Sequence, residues 1–118
     1  MAFTINIYYT GANGSAIKFA KEMISSGIVD KIKSKKGNLR YEYFRPLNND
    51  ETVLLIDSWE NQEALDEHHK SETMQKILDL RKKYDLHMKV ERYNLSASEE
   101  KDKKYIREWI IKYNKCNK

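Results

Sequence analysis

One stretch of the sequence, DSWENQEALDEHHK at residues 57–70, contains side chains whose types and spacing could do chemistry. His68 follows Trp59 by nine positions. An unperturbed histidine has a pKa of about 6.5, so it can act at neutral pH as a base or as a hydrogen-bond partner. An indole ring can form an aromatic wall for a ligand. The stretch therefore allows two interpretations, a functional pocket or ordinary parts of a small core.

The helical spacing of this stretch indicates which histidine faces inward. A helix is predicted from residue 61 to about residue 69, and Ala64 and Leu65 mark its inward side. At about 100° per residue, His68 falls close to the centre of that side and His69 about 90° away. We therefore expect His68 to face the interior. An inward histidine can still be a structural residue, and a tryptophan at a strand end can be part of the core.

The elements that must position these residues follow from the hydrophobic periodicity. Their order is strand, helix, strand, strand, helix, strand, which is the ferredoxin-like βαββαβ pattern with an antiparallel sheet. The predicted fold class is α+β. Strands are predicted at 3–10, 39–47, 52–59 and 86–95, and helices at 16–26, at about 61–69 and from 71 onward.

The two faces of the predicted sheet differ in character. Both helices follow strands in equivalent halves of the pattern, so both should cover the same face. The other face carries Asn6, Tyr8 and Phe44. This mixture is too aromatic for a solvated face and too polar for a dry core. We therefore expect a homodimer in which a partner subunit covers this face and a cavity lies between the sheets.

The C-terminal segment is predicted to be a helical extension of the domain. Residues 96–118 form an amphipathic helix that extends a ferredoxin-like domain at 1–95, and Ser96 and Glu99 have the spacing of a capping box. The helix could dock on its own domain or on a neighbouring subunit. Its apolar side would contain Tyr105, Ile106, Trp109, Ile110 and Tyr113.

The composition favours a small cytoplasmic protein. The chain has 118 residues, one domain's worth, and its only cysteine is Cys116. It contains neither a signal-peptide pattern nor an apolar run of about 18 residues that could span a membrane. The net charge is +4, but acidic and basic residues alternate, and no aromatic–basic interleaving suggests nucleic-acid binding. No residue spacing indicates a metal site.

Two segments together resemble the antibiotic biosynthesis monooxygenase (ABM) domain family. They are GNLRYEYF and DSWENQEALDEHHKSETM. Members commonly have Gly-x-x-x-Tyr on the second strand and, later, Trp followed nine positions on by His. Gly37 to Tyr41 and Trp59 to His68 match these spacings. The resemblance covers about residues 3–94 and implies a dimeric α+β barrel with a pocket between each sheet and its helices.

The resemblance also implies a chemistry. Many members oxygenate phenols or quinols with O₂ and need no metal, flavin or haem, so no cofactor and a small aromatic substrate are expected. The site must bind the ring, handle its proton and exclude water. In that scheme His68 is the catalytic residue. Asn6 and Tyr8 orient the substrate oxygen from the polar sheet face. Phe44 and Trp59 supply aromatic walls.

Two other functions remain open. The first is a non-catalytic dimeric module of the same fold that binds a ligand or acts in a stress response. The second is haem degradation, a branch usually marked by a strand-one Asn, which Asn6 could supply. However, His68 occupies the position of that branch's helix Trp, and Leu78 occupies its ligand position. Many ABM members also have a second histidine where this chain has Thr73.

Overall fold

The computed structural model describes residues 1–97 and 99–107. Within these residues there are four strands, β1 Phe3–Thr10, β2 Asn38–Phe44, β3 Thr52–Trp59 and β4 His87–Asn94. They form one antiparallel sheet of order β2-β3-β1-β4. This order confirms the predicted α+β, ferredoxin-like fold.

The described helices follow the strands as the pattern predicts, with one addition. The helices are α1 Ser15–Ser25, α2 Ile28–Lys33, α3 Gln62–His69, α4 Glu72–Lys83 and α5 Glu100–Lys103. The addition is the short helix α2, in the segment after Gly27 that is predicted as a loop or a ragged extra turn. Asn61 caps α3 by accepting a hydrogen bond from the Ala64 amide at 2.9 Å, and Ser71 caps α4 by accepting one from the Met74 amide at 3.3 Å.

The core lies between the helices and one face of the sheet. Every second residue of β1 points to this face, because side chains alternate along a strand. Helices α1 to α4 each contribute at least one buried side chain. The main core residues are Phe3, Ile7, Tyr9, Phe19, Met23, Ile32, Tyr41, Leu55, Trp59, Leu65 and Ile77.

The opposite face of the sheet carries the polar and aromatic residues that the sequence predicts there. Thr4, Asn6 and Tyr8 alternate with the core residues of β1 and are half-buried. Phe44 lies on the same face of β2 and is 39% exposed. Ile56 pairs with Asn6 from β3 and is also half-buried. The composition of this face is thus the predicted one, and its contact with a partner subunit stays a prediction.

Of the predicted C-terminal helix at 96–118, the described residues contain one helical segment, α5. Helix α5 ends at Lys103, and its capping box joins Glu99 to Asp102 rather than Ser96 to Glu99. Tyr105 and Ile106 follow the helix and are exposed. Three residues of the predicted apolar side, Trp109, Ile110 and Tyr113, and also Cys116, lie outside the described residues. In the part of the chain that the structure describes, no helix has the length and apolar character needed to cross a membrane.

Candidate active site

A cavity of about 220 Å³ lies between the sheet and helices α3 and α4. Small-molecule sites usually have this form, an apolar cavity into which a few polar groups converge. Within residues 1–97 and 99–107, no three His, Cys, Asp or Glu side chains are arranged to hold a metal ion. The apolar lining is Ile5, Ile7, Leu55, Met74, Ile77, Met88 and Val90, and the ionisable lining is Tyr41, Asp57, His68, His69 and Arg81.

Asp57 is the buried carboxyl group of this cavity. It lies on β3 between Leu55 and Trp59 in the alternation, faces the core and is 5% exposed. Burial raises the pKa of Asp57 to about 7, although the neighbouring N–H groups of Trp59 and Asn38 and the charge of Arg81 offset part of the rise. A carboxyl group that titrates near neutral pH in an apolar pocket is suited to accept a proton from a ligand.

Arg81 brings a positive charge to the same cavity. Its Nη2 donates a hydrogen bond to the hydroxyl oxygen of Tyr9 at 2.9 Å, which anchors the guanidinium group in the core. Its Nε is buried and has no hydrogen-bond partner among the described residues. A buried donor without a partner is costly, so a ligand oxygen that accepts from it would be favoured.

His68 lies in the wall of the cavity, as its position on the helix predicts. The side chain is 4% exposed, and its ring stacks on Trp59 with the ring centroids 5.2 Å apart. Nζ of Lys35 lies 3.0 Å from Nδ1 of His68. Burial, and after it the positive charge of Lys35, lower the pKa of His68 to about 4. At neutral pH the imidazole is therefore uncharged, with Nδ1 already in a hydrogen bond.

The structure does not bring the five sequence-predicted site residues together within one chain. His68 lines the cavity, and Trp59 is fully buried behind its ring without lining the cavity. Asn6, Tyr8 and Phe44 lie on the opposite side of the sheet. The sequence predicts that these five residues share one chamber. Within one chain the sheet separates them into two groups, because neighbouring residues of a strand point to opposite faces.

Sequence reasoning missed Asp57 and Arg81. Both could have been found, because each is an ionisable residue at a position that the periodicity assigns to the core. Asp57 lies on the same face of β3 as Leu55 and Trp59. Arg81 follows Ile77 by four positions on α4, so it continues the inward side of that helix. Ionisable residues at core positions are seldom there for packing alone.

The fold and the cavity define a class of protein, the ferredoxin-like α+β domain with a ligand pocket between its sheet and its helices. Within that class, the chain belongs to the antibiotic biosynthesis monooxygenase family, whose sequence profile matches residues 2–80. The matched range contains Gly37, Asp57 and His68 and ends one residue before Arg81. A search of curated proteins found no match.

Solved structures with the same fold include SnoaB, a cofactor-independent oxygenase from Streptomyces nogalater. It is 11% identical, with a TM-score of 0.67 over 82% of this chain and 95% of that chain. A protein from Deinococcus radiodurans, named as a candidate antibiotic biosynthesis monooxygenase, is 16% identical, with a TM-score of 0.70 over 84% and 96%. A conserved protein from Methanosarcina mazei Go1 is also 16% identical, with a TM-score of 0.69 over 81% and 94%. At these identities the comparisons show the fold.

Proposed function

We propose that this protein is a cofactor-independent monooxygenase that uses O₂ to oxygenate a small phenol or quinol in the cavity between the sheet and helices α3 and α4. The observation that carries the proposal is Asp57, a buried carboxyl group with a pKa of about 7 in a largely apolar cavity that Arg81 also lines. Membership of the monooxygenase family supports the reaction class.

The cavity volume is suited to a small ring system. An apolar cavity of about 150 Å³ accommodates benzene in a well-studied engineered lysozyme. The cavity here, at about 220 Å³, leaves space for one substituted aromatic ring. A one-ring phenol or quinol is therefore the first substrate class to test.

In the proposed reaction, Asp57 accepts the proton of the ring hydroxyl and Arg81 stabilises the negative charge left on the oxygen. The electron-rich ring transfers one electron to O₂, and the two radicals combine at a ring carbon. Loss of the hydrogen on that ring carbon as a proton then cleaves the O–O bond and leaves one oxygen atom as the new carbonyl group. The other oxygen atom leaves as water, with that proton and the one that Asp57 returns. For a simple phenol the balance is one phenol and one O₂ giving one quinone and one water.

The geometry changes the role proposed for His68. Its Nδ1 is in a hydrogen bond with Lys35, and its low pKa of about 4 makes it a weak base. We therefore assign the base to Asp57 and a hydrogen-bonding contact with the substrate to His68. Asn6, Tyr8 and Phe44 have no part in this scheme, because the sheet separates them from the cavity.

Oxygen uptake with a panel of one-ring phenols and quinols tests the proposal. The enzyme should consume O₂ above the enzyme-free rate, and Asp57→Asn should lower kcat by at least about 100-fold because the base is lost. Asp79→Asn, on the exposed side of α4, is the matched control and should retain the wild-type rate. Equal rates for wild type and Asp57→Asn would contradict the proposal. Thermal stabilisation by the phenols without O₂ uptake would favour the ligand-binding alternative.

A further inference from the structure

We propose that Lys35 is a positioning residue that holds His68 in the tautomer with its proton on Nε2, so that the imidazole donates a hydrogen bond into the cavity. The importance of this device for catalysis rests on the proposed function. The tautomer itself does not, because it follows from contacts within the chain.

The first step of the argument is the chemistry of the Lys35–His68 contact. A lysine ammonium group has three hydrogens and no lone pair, so it can only donate. Its Nζ lies 3.0 Å from Nδ1 of His68, and Nδ1 must therefore be the acceptor. A neutral imidazole has one N–H, and an acceptor at Nδ1 places that hydrogen on Nε2.

Lys35 is held in place at a second point. Its Nζ also donates to Oγ of Ser71 at 2.7 Å, and that hydroxyl donates to the backbone carbonyl of His68 at 2.6 Å. The same Oγ caps α4 by accepting from the amide of Met74 at 3.3 Å. Among the described residues, Lys35 forms no ion pair with a carboxylate that could draw it away from the ring.

The backbone around Lys35 explains why it reaches this histidine. Lys35 lies in the turn between α2 and β2. This turn ends at Gly37, whose carbonyl accepts a hydrogen bond from the amide of Glu60 at 2.8 Å. A Cβ atom at Gly37 would lie 2.4 Å from Cβ of Ala64, so the turn packs directly on α3. His68 lies four residues after Ala64 and so occupies the same side of the helix, one turn further on.

Lys35 acts through His68 rather than on a ligand of the cavity. Lys35 borders an outer groove between its own turn and α3 and does not line the inner cavity, whereas His68 borders both. Nε2 of His68 has no hydrogen-bond partner among the described residues. The surrounding side chains do not fully enclose this atom, so a ligand can reach it. Stacking on Trp59 fixes the plane of the ring. Nε2–H is thus free to donate to a substrate oxygen or to reduced O₂, while Asp57 remains the base.

A long-range ¹H–¹⁵N NMR experiment on the histidine rings measures the tautomer directly. His69→Gln and His87→Gln assign the signals of the three histidines. We expect the Nε2–H form for His68 in the wild type and in Lys36→Met, a control in the same turn. We expect a mixture with the Nδ1–H form in Lys35→Met. An Nδ1–H form in the wild type would overturn the inference, and so would an unchanged tautomer in folded Lys35→Met. The wild-type spectrum decides which tautomer is present even if Lys35→Met does not fold.

Kinetics then test the catalytic consequence. Lys35→Met should lower kcat by about tenfold with little change in KM, since it disturbs a donor that acts in the transition state. Lys35→Arg should recover part of the rate, because it can still donate to Nδ1. Unchanged kcat in Lys35→Met would overturn the positioning role. Absence of turnover in the wild type would instead contradict the proposed function and leave the tautomer to be decided by NMR.

Discussion

Position 57 of β3 carries a carboxyl group, although the residues on either side of it on the same face of the strand are apolar. Leu55 and Trp59 pack in the core, and the same alternation buries Asp57 between them. A stabilising apolar residue would fit this position better, since a buried carboxylate without a full ion pair is costly. A stability cost at a candidate catalytic position is expected where function requires a perturbed pKa.

The cost has a definite pH dependence. The pKa of Asp57 rises from its ordinary 3.8 to about 7 on folding, so the folded state favours the protonated carboxyl group. The stability that proton binding by Asp57 gives the folded state is fully present below pH 3.8. It is lost as the pH rises through about 7, so the free energy of unfolding falls over this range. Asparagine resembles the protonated form. Asp57→Asn should therefore be more stable than the wild type at pH 8, by about 1 to 4 kcal/mol, with little difference near pH 4.

Urea unfolding at the two pH values measures this difference. Asp79→Asn, on the exposed side of α4, should show no comparable gain at pH 8. A variant Asp57→Asn that is less stable than the wild type at pH 8 would show that the folded state gains from the ionised carboxylate.

At the scale of single residues, part of the candidate site could be predicted from the sequence. The helical period correctly placed His68 on the inward side of α3, and alternation correctly placed Asn6 on the other face of the sheet. Together the two patterns predict one chamber, whereas within one chain Asn6 and His68 lie on opposite sides of the sheet. Periodicity tells which residues share a face, but the location of a cavity depends on how α3 and α4 pack over β1 and β3, which is a tertiary property.

At the scale of elements, the turn from α2 to β2 links the family's glycine to the candidate site. Gly37 has φ 88°, in the region that favours glycine, and its close approach to Ala64 sets the turn against α3. The Gly-x-x-x-Tyr pattern thus has a packing reason. The same packing brings Lys35 to His68.

Gly37→Ala should therefore destabilise the protein by about 2 to 4 kcal/mol, because strain at positive φ and a steric clash add. Gly14→Ala is the matched control, since Gly14 has φ 77° and open space where a Cβ would lie. It should cost only about 1 kcal/mol. Thermal or urea unfolding of both variants measures the two costs. Equal losses would show that contact with Ala64 is unimportant, whereas partial rescue by Ala64→Gly would support it.

Element prediction succeeded where a periodic pattern is long. The four strands and the segments of α1, α3 and α4 each contain enough alternating or helical repeats to identify their type. Helix α2 contains only six residues, too few for a helical repeat to stand out. The predicted second strand ran to residue 47, but β2 ends at Phe44, just before the segment that contains Pro46.

At the scale of the whole molecule, the main feature is the face of the sheet that residues 1–97 and 99–107 leave without a covering layer. Its centre combines half-buried Ile56 and Tyr8 with Asn6, whose Oδ1 is enclosed without a hydrogen bond within the described part of the chain. A second sheet packed on this face would bury the apolar side chains and could supply a donor to Asn6. The family resemblance implies the same arrangement, a homodimer.

Ile56→Asp should therefore convert a dimer into a monomer at micromolar concentration, because it would bury a charge at the centre of the interface. Leu78→Asp, on the exposed side of α4, is the control and should leave the oligomeric state unchanged. Sedimentation velocity measures both. A wild-type protein that sediments as a monomer at these concentrations would contradict the expected dimer.

The pH dependence of oxygen uptake tests the central claim most directly. With a one-ring quinol and the enzyme-free rate subtracted at each pH, kcat of the wild type should rise with pH around an apparent pKa of about 7, as Asp57 ionises. Asp57→Asn should lose both this rise and most of the rate. If Asp57→Asn retains the wild-type rate and the wild-type pH profile, then Asp57 is not the base and the account of this cavity is contradicted.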